Sequence, residues 1–159
     1  MLTTGNIAPD FSLPSGEGDV VRLKDYRGKR VVLFFYPDDD TPTCTDQACA
    51  FRDNLTVLKK QGAVVLGVSP DPVESHRKFA RKYGLTYPLL SDESKDVHKQ
   101  YGVWKKKKLF GREYMGVIRT TFVIDEQGRI RHMFSRVRIK KHVEQILAVL
   151  NNMNGTESN

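Results

Sequence analysis

Phe34-Phe35-Tyr36-Pro37-Asp38-Asp39-Asp40-Thr41-Pro42-Thr43-Cys44-Thr45-Asp46-Gln47-Ala48-Cys49 carries a buried strand into an acidic loop, and the loop into a helix. The strand begins at Val31-Val32-Leu33 and ends at Pro37. So continuous an apolar run marks a strand covered on both faces. Beyond Cys44 the apolar residues Ala48, Phe51, Leu55 and Leu58 recur at offsets of 4, 7, 11 and 14. Those offsets describe one helical face, which Gly62 is placed to close. Cys44 therefore falls in a first helical turn, where unpaired N–H groups and the positive end of the macrodipole favour an anion. The thiolate is the nucleophilic form of cysteine. Hydroxyls of Thr41, Thr43 and Thr45 stand close enough in sequence to donate to it or to a bound oxygen. By position alone, Cys44 reads equally well as a small apolar residue on the inner face of its helix.

Outward from this stretch, short apolar runs at Val64-Val65-Leu66-Gly67-Val68 and Thr121-Phe122-Val123-Ile124 give two more buried strands. Gln127-Gly128 turns the second towards Ile130-Arg131-His132-Met133-Phe134, an antiparallel partner. Phe11-Ser12-Leu13 and Val20-Val21 read as an N-terminal hairpin. Helical periodicity predicts a second helix over Val73 to Tyr83, ended by Gly84, and a shorter one from Ser94 to Tyr101 before Gly102. A last helix is expected over Lys140 to Leu150, with Val143, Ile146, Leu147 and Leu150 inward. This order gives an α/β, thioredoxin-like fold: a central mixed β-sheet flanked by helices, with an N-terminal β-hairpin. One domain is expected over residues 1–151, with a disordered tail over 152–159.

The 159 residues suffice for one core, and 39% hydrophobic with 28% charged residues is ordinary for a globular chain. No window is apolar for the roughly 18 residues that a membrane span requires. The N-terminus lacks a basic start followed by an apolar run, so a cytoplasmic address is the default expectation. The net charge of +7 points to nucleic acid or an acidic partner only if the cations gather on one face. The single dense run, Lys105-Lys106-Lys107-Lys108, is read as a solvated loop, so no nucleic-acid partner is expected. Two cysteines are too few for a disulfide-stapled scaffold and are candidates for chemistry in a reducing compartment. His76, His98, His132 and His142 are scattered without ligand spacing and are read as surface or packing residues, so no metal is expected. Gly-rich phosphate cradles are missing, and no cofactor is called for.

Pro37-x-x-x-Thr41-x-x-Cys44 matches the peroxiredoxin active-site pattern. The block from Phe35-Tyr36-Pro37 through Ala48-Cys49 to Arg52-Asp53 resembles the bacterioferritin comigratory protein or peroxiredoxin Q subfamily. Agreement continues at Val68-Ser69, Leu89-Leu90-Ser91-Asp92, Tyr101-Gly102-Val103-Trp104 and Arg119-Thr120-Thr121-Phe122-Val123-Ile124-Asp125. Thr43 departs from the pattern, where glycine is expected in many members, and this puts the range of accepted peroxides in question.

The resemblance implies a thiol-specific peroxidase acting on hydrogen peroxide and organic hydroperoxides in antioxidant defence. Cys44 would be the peroxidatic thiolate, Thr41 a hydrogen-bond partner of the peroxide, and Pro37 a shield over the pocket. Arg119 would stabilise the thiolate and the charge developing on the oxygens, as an always-charged, multidentate guanidinium can. It also implies that Cys49 resolves the Cys44 sulfenic acid as a disulfide, that thioredoxin or a similar dithiol recycles it, and that the chain is a monomer. Residues five apart on a helix are roughly 8–9 Å apart at Cα and rotated by about 140°. A disulfide needs about 4.4–6.8 Å, so the turns around Cys44 and Cys49 must unwind in each cycle. A thioredoxin-like disulfide oxidoreductase would want Cys-x-x-Cys, and here four residues intervene. A non-catalytic basic module using Lys105 to Lys108 is the rival from another class.

Overall fold

Every residue of β3 (Arg30–Phe35) is buried, and the rest of the chain is arranged about it. The computed structural model describes residues 2–135 and 137–157. β3 pairs in parallel with β4 (Ala63–Ser69), which pairs in parallel with β5 (Leu89–Ser91). On its other side β3 pairs antiparallel with β8 (Thr120–Ile124), and β8 with β9 (Ile130–Ser135). The sheet order is thus β5-β4-β3-β8-β9, a mixed sheet.

Period-two alternation along β3 divides the core into two layers. Val32 and Phe34 face a layer built by α1 (Pro42–Asp53), α2 (Leu55–Lys60), α3 (Val73–Tyr83) and α5 (Ile139–Glu157). Phe51 of α1 stacks on Phe34 with ring centroids 4.6 Å apart, an arrangement worth about 0.5–1.5 kcal/mol beyond its burial. Gly67, opposite Phe34 in β4, makes room for that ring, since a Cβ there would lie 2.7 Å from Phe34 Cζ. Val31, Leu33 and Phe35 face the second layer. That layer is built by the hairpin of β1 (Ser12–Pro14) and β2 (Val20–Arg22) and by α4 (Asp96–Gln100). The fold class is the one expected: a central mixed sheet flanked by helices, with an N-terminal hairpin.

The structure corrects four local expectations. Lys105-Lys106-Lys107-Lys108 is not a loop but part of β6 (Trp104–Leu109), paired antiparallel with β7 (Arg112–Val117). The backbone pairing supplies the hydrogen bonds, while both faces of the ribbon are largely in water, so lysines are tolerated in a strand. The helix expected from Cys44 to Leu58 is divided at Asn54, whose side-chain Nδ2 donates to the Ala50 carbonyl at 2.8 Å. Such local bonding competes with the helix ladder. The helix expected to start at Ser94 begins at Asp96, after Lys95 in a left-handed conformation. The tail expected to be disordered is helical through Glu157, and Met153 is buried with Ile146 and Leu150. The spacing of 146, 150 and 153 is the i, i+4, i+7 stripe of one face; residues 158–159 lie outside the described residues.

Candidate active site

Cys44 owes its place to the junction between β3 and α1. Thr41 is the extended N-cap residue (φ −90°, ψ 155°), and Pro42 opens the helix, where its missing N–H and fixed φ suit the first position. Cys44 is therefore the third helical residue, among amides that have no intrahelical partner. No acidic side chain occupies this first turn to oppose negative charge there. The residue is buried, 1% exposed, and packs in the core layer with Phe34, Ala48 and Phe51. Its burial is that of a core cysteine, so burial alone does not separate inert from reactive.

The separating feature comes from the other side of the sheet junction. Pairing of Phe35 with Thr120 brings the β7–β8 connection alongside the end of β3. Arg119, half-buried in that connection, donates from Nη2 to Cys44 Sγ at 3.2 Å. Its Nη1 donates to Gln47 Oε1 at 2.6 Å. A guanidinium is always charged and presents several donors, so it can face the sulfur and a second partner at once. Gln47 holds the fork in place from one turn further along α1, on the same helix face as Cys44. It is buried, and its Nε2 has no hydrogen-bond partner among the described residues. Sequence reasoning passed over Gln47, although a polar residue three positions after a candidate nucleophile, on an apolar face, is the signal that would have found it.

Among the described residues, no hydrogen bond is seen from the other expected site residues to the sulfur. Thr41 Oγ1 donates to the Asp38 carbonyl at 3.1 Å. Pro37 is half-buried just past the end of β3, and Thr43 is exposed at the second helical position. Cys49 is a free thiol, half-buried, on the same unbroken helix as the free thiol of Cys44. Next to it, Tyr87 Oη donates to the Ala48 carbonyl at 2.7 Å. Burial, and after it the neighbouring Cys49, push the Tyr87 phenol well up, so it stays a donor.

The histidines pack. His76, His98 and His142 are buried, while His132 is half-buried against Phe134. His98 Nδ1 lies 2.5 Å from Asp92 Oδ2, in a contact that also caps α4. Burial holds His142 down at about 4.

Comparison with known proteins shows the family of the chain. The AhpC/TSA family matches residues 4–133. Peroxiredoxin Bcp of Bacillus subtilis is 45% identical over 152 residues, covering 96% of this chain and 97% of the relative. Peroxiredoxin Bcp of Escherichia coli is 46% identical over 146 residues, covering 92% and 94%. Among solved structures, Xylella fastidiosa PrxQ superposes with a TM-score of 0.89 at 30% identity, over 99% of this chain and 98% of that one. Mycobacterium tuberculosis peroxidoxin BcpB does so with a TM-score of 0.85 at 40% identity, over 96% and 98%. A thiol in a first helical turn, faced by an arginine from the neighbouring strand connection, thus comes with likeness along nearly the whole chain: the protein belongs to the AhpC/TSA family, in its bacterioferritin comigratory protein or peroxiredoxin Q group.

Proposed function

We propose that the protein reduces hydrogen peroxide and organic hydroperoxides with Cys44 as the attacking thiolate and Cys49 as the resolving thiol. The observation that carries this reading is the Arg119 Nη2 donor 3.2 Å from Cys44 Sγ in the first turn of α1. The thiolate attacks one peroxide oxygen, the O–O bond breaks, and Cys44 becomes a sulfenic acid. The other oxygen leaves as alkoxide or hydroxide and takes a proton from solvent. Arg119 is placed to hold both the sulfur and the oxygens on which charge develops. The Thr41 hydroxyl hydrogen-bonds the incoming peroxide, and Pro37 shields the pocket from water. Cys49 then condenses with the sulfenic acid, losing water and forming a disulfide. A dithiol such as thioredoxin returns both sulfurs to thiols by exchange, and is itself oxidised.

α1 runs unbroken over Pro42–Asp53, so its first turns must open before the two sulfurs can meet. Acceptance of organic substrates is in keeping with the Xanthomonas campestris bacterioferritin comigratory protein, described for alkyl peroxide reduction, which superposes with a TM-score of 0.86 at 32% identity over 90% of this chain and 91% of that one. We assign the working form as a monomer.

The test is peroxide consumption coupled to thioredoxin, its reductase and a nicotinamide donor. Cys44→Ser is expected to abolish turnover. Cys49→Ser is expected to keep the first oxidation and to need an added thiol thereafter. A Cys44→Ser variant as active as wild type would falsify the assignment.

A further inference from the structure

Asp39 lies midway between Pro37 and Thr41 in the loop that enters α1. Its side chain is buried, 4% exposed, although Asp38 and Asp40 on either side are exposed. The carboxylate gathers donors from two elements. Tyr36 Oη donates to Oδ1 at 2.6 Å, Ser75 Oγ donates to Oδ2 at 2.8 Å, and His76 Nδ1 lies 2.7 Å from the same Oδ2. His76, on α3, has a fully buried side chain whose Nε2 is 2.9 Å from the Leu90 carbonyl of β5. A carbonyl oxygen only accepts, so Nε2 carries a proton. Burial, and after it the Asp39 charge, push the Tyr36 phenol well up, so it too remains a donor.

The backbone of the loop is tied at the same place. Asp39 N–H donates to Asp71 Oδ2 at 2.8 Å, an oxygen that also accepts from Ser69 Oγ at 2.8 Å. Asp40 adopts a left-handed φ of 58°, and its carboxylate accepts from Lys82 Nζ and Tyr83 Oη of α3, each at 2.8 Å. The Thr41 hydroxyl in turn donates to the Asp38 carbonyl. Its direction therefore depends on how the peptide between Asp38 and Asp39 is held. A buried polar pair stabilises little compared with packed apolar residues of the same volume. What it supplies here is one defined loop geometry.

We propose that the buried Asp39–His76 pair is a positioning device for the peroxide half-reaction, anchoring the 37–41 loop to α3 and β5 so that Thr41 and Pro37 meet a hydroperoxide at Cys44 in a single arrangement. The inference rests on the peroxidase reading of Cys44 and adds two positioning residues outside the active-site pattern. Reduction of the disulfide takes place with α1 opened, and does not call on the clamp. Asp39→Asn keeps the volume and the Oδ1 acceptor but weakens the pair; His76→Gln removes the ring.

Each variant is assayed with hydrogen peroxide and dithiothreitol, beside a thermal melt and the iodoacetamide alkylation rate of Cys44 in reduced protein. A misplacement near 1 Å can slow a reaction about 100-fold. The expected result is a fall of roughly 10- to 100-fold in kcat/KM for peroxide, with kcat/KM for dithiothreitol unchanged. Cys44 should be alkylated faster as the loop loosens. Variants that keep wild-type kcat/KM for peroxide overturn the clamp, as do variants in which both half-reactions fall together with the melting temperature. Wild-type protein that consumes no peroxide overturns the peroxidase reading and the clamp with it, an outcome distinct from active wild type matched by its variants.

Discussion

Removing one hydroxyl, in Tyr87→Phe, tests whether α1 must open around Ala48 for Cys44 and Cys49 to join. The Tyr87 phenol is buried and donates to the Ala48 carbonyl at 2.7 Å, in the segment between the two cysteines. The closed helix has this bond and the opened one does not. A buried hydrogen bond contributes about 0.5–1.5 kcal/mol net. Phenylalanine fills the same space, and the Ala48 carbonyl keeps its place in the helix ladder, so that amount is the difference between opening in wild type and in the variant. At 1.36 kcal/mol per tenfold, disulfide formation should accelerate roughly 2- to 12-fold. The folded state loses the same bond, so the melting temperature should fall by about 2–4 °C for each kcal/mol. The assay is a single turnover with one equivalent of hydrogen peroxide, quenched at intervals, with sulfenic acid and disulfide separated by intact mass. Faster closure also competes better with further oxidation, so inactivation at high peroxide should decline. If disulfide formation is unchanged while the melting temperature falls as expected, Ala48 remains anchored during closure and the opening reasoning is wrong.

Arg119→Met removes the donor facing the sulfur while leaving a chain of similar length. Loss of one such preorganised donor typically slows a reaction about 10²- to 10³-fold, read as the second-order rate of Cys44 oxidation, and a loss under threefold would show that the contact is not catalytic. His142 supplies a pH prediction. Burial lowers it to about 4 from the ordinary 6.5. The unfolded chain therefore takes up a proton below about pH 6.5 that the folded chain refuses until about pH 4. Its contribution is fully present above pH 6.5, declines as the pH falls from 6.5 to 4, and levels off below that, for a total of at most about 3 kcal/mol. Urea melts of wild type and His142→Asn across that range should diverge in slope; parallel curves would refute it.

The strands and the longest buried helix faces were legible because their signals are local. A continuous apolar run such as Val31 to Phe35 has no stable place except between two layers, and α3 spans Val73–Tyr83, the range its periodicity predicts. Gly84 ends it with φ of 65°, a conformation that costs glycine little. Cys44 in a first helical turn was equally legible, since the apolar offsets counted from it mark where the helix starts.

Interactions that depend on distant partners were not legible in local patterns, and Arg119 was reached only through the family resemblance. Lysine is a poor strand former, yet Lys105 to Lys108 are held in β6 by pairing with β7. Asn152 to Asn154 look like a tail, but the apolar face of α5 reaches Met153 and continues the helix.

The sequence by itself determined the place of Cys44 in a first helical turn and the layered sheet around it, because propensity, periodicity and capping act within a few residues. Only the tertiary structure decided which groups the sulfur and its loop would meet. Arg119 reaches Cys44 across 75 residues of chain through the antiparallel register of β3 and β8. Gln47 takes on its role only once that guanidinium has arrived. Asp39, one of three aspartates alike in sequence, is set apart solely by the packing of α3, which buries it against His76. Charge and hydrogen bonding act through space, and the fold alone brings these residues together.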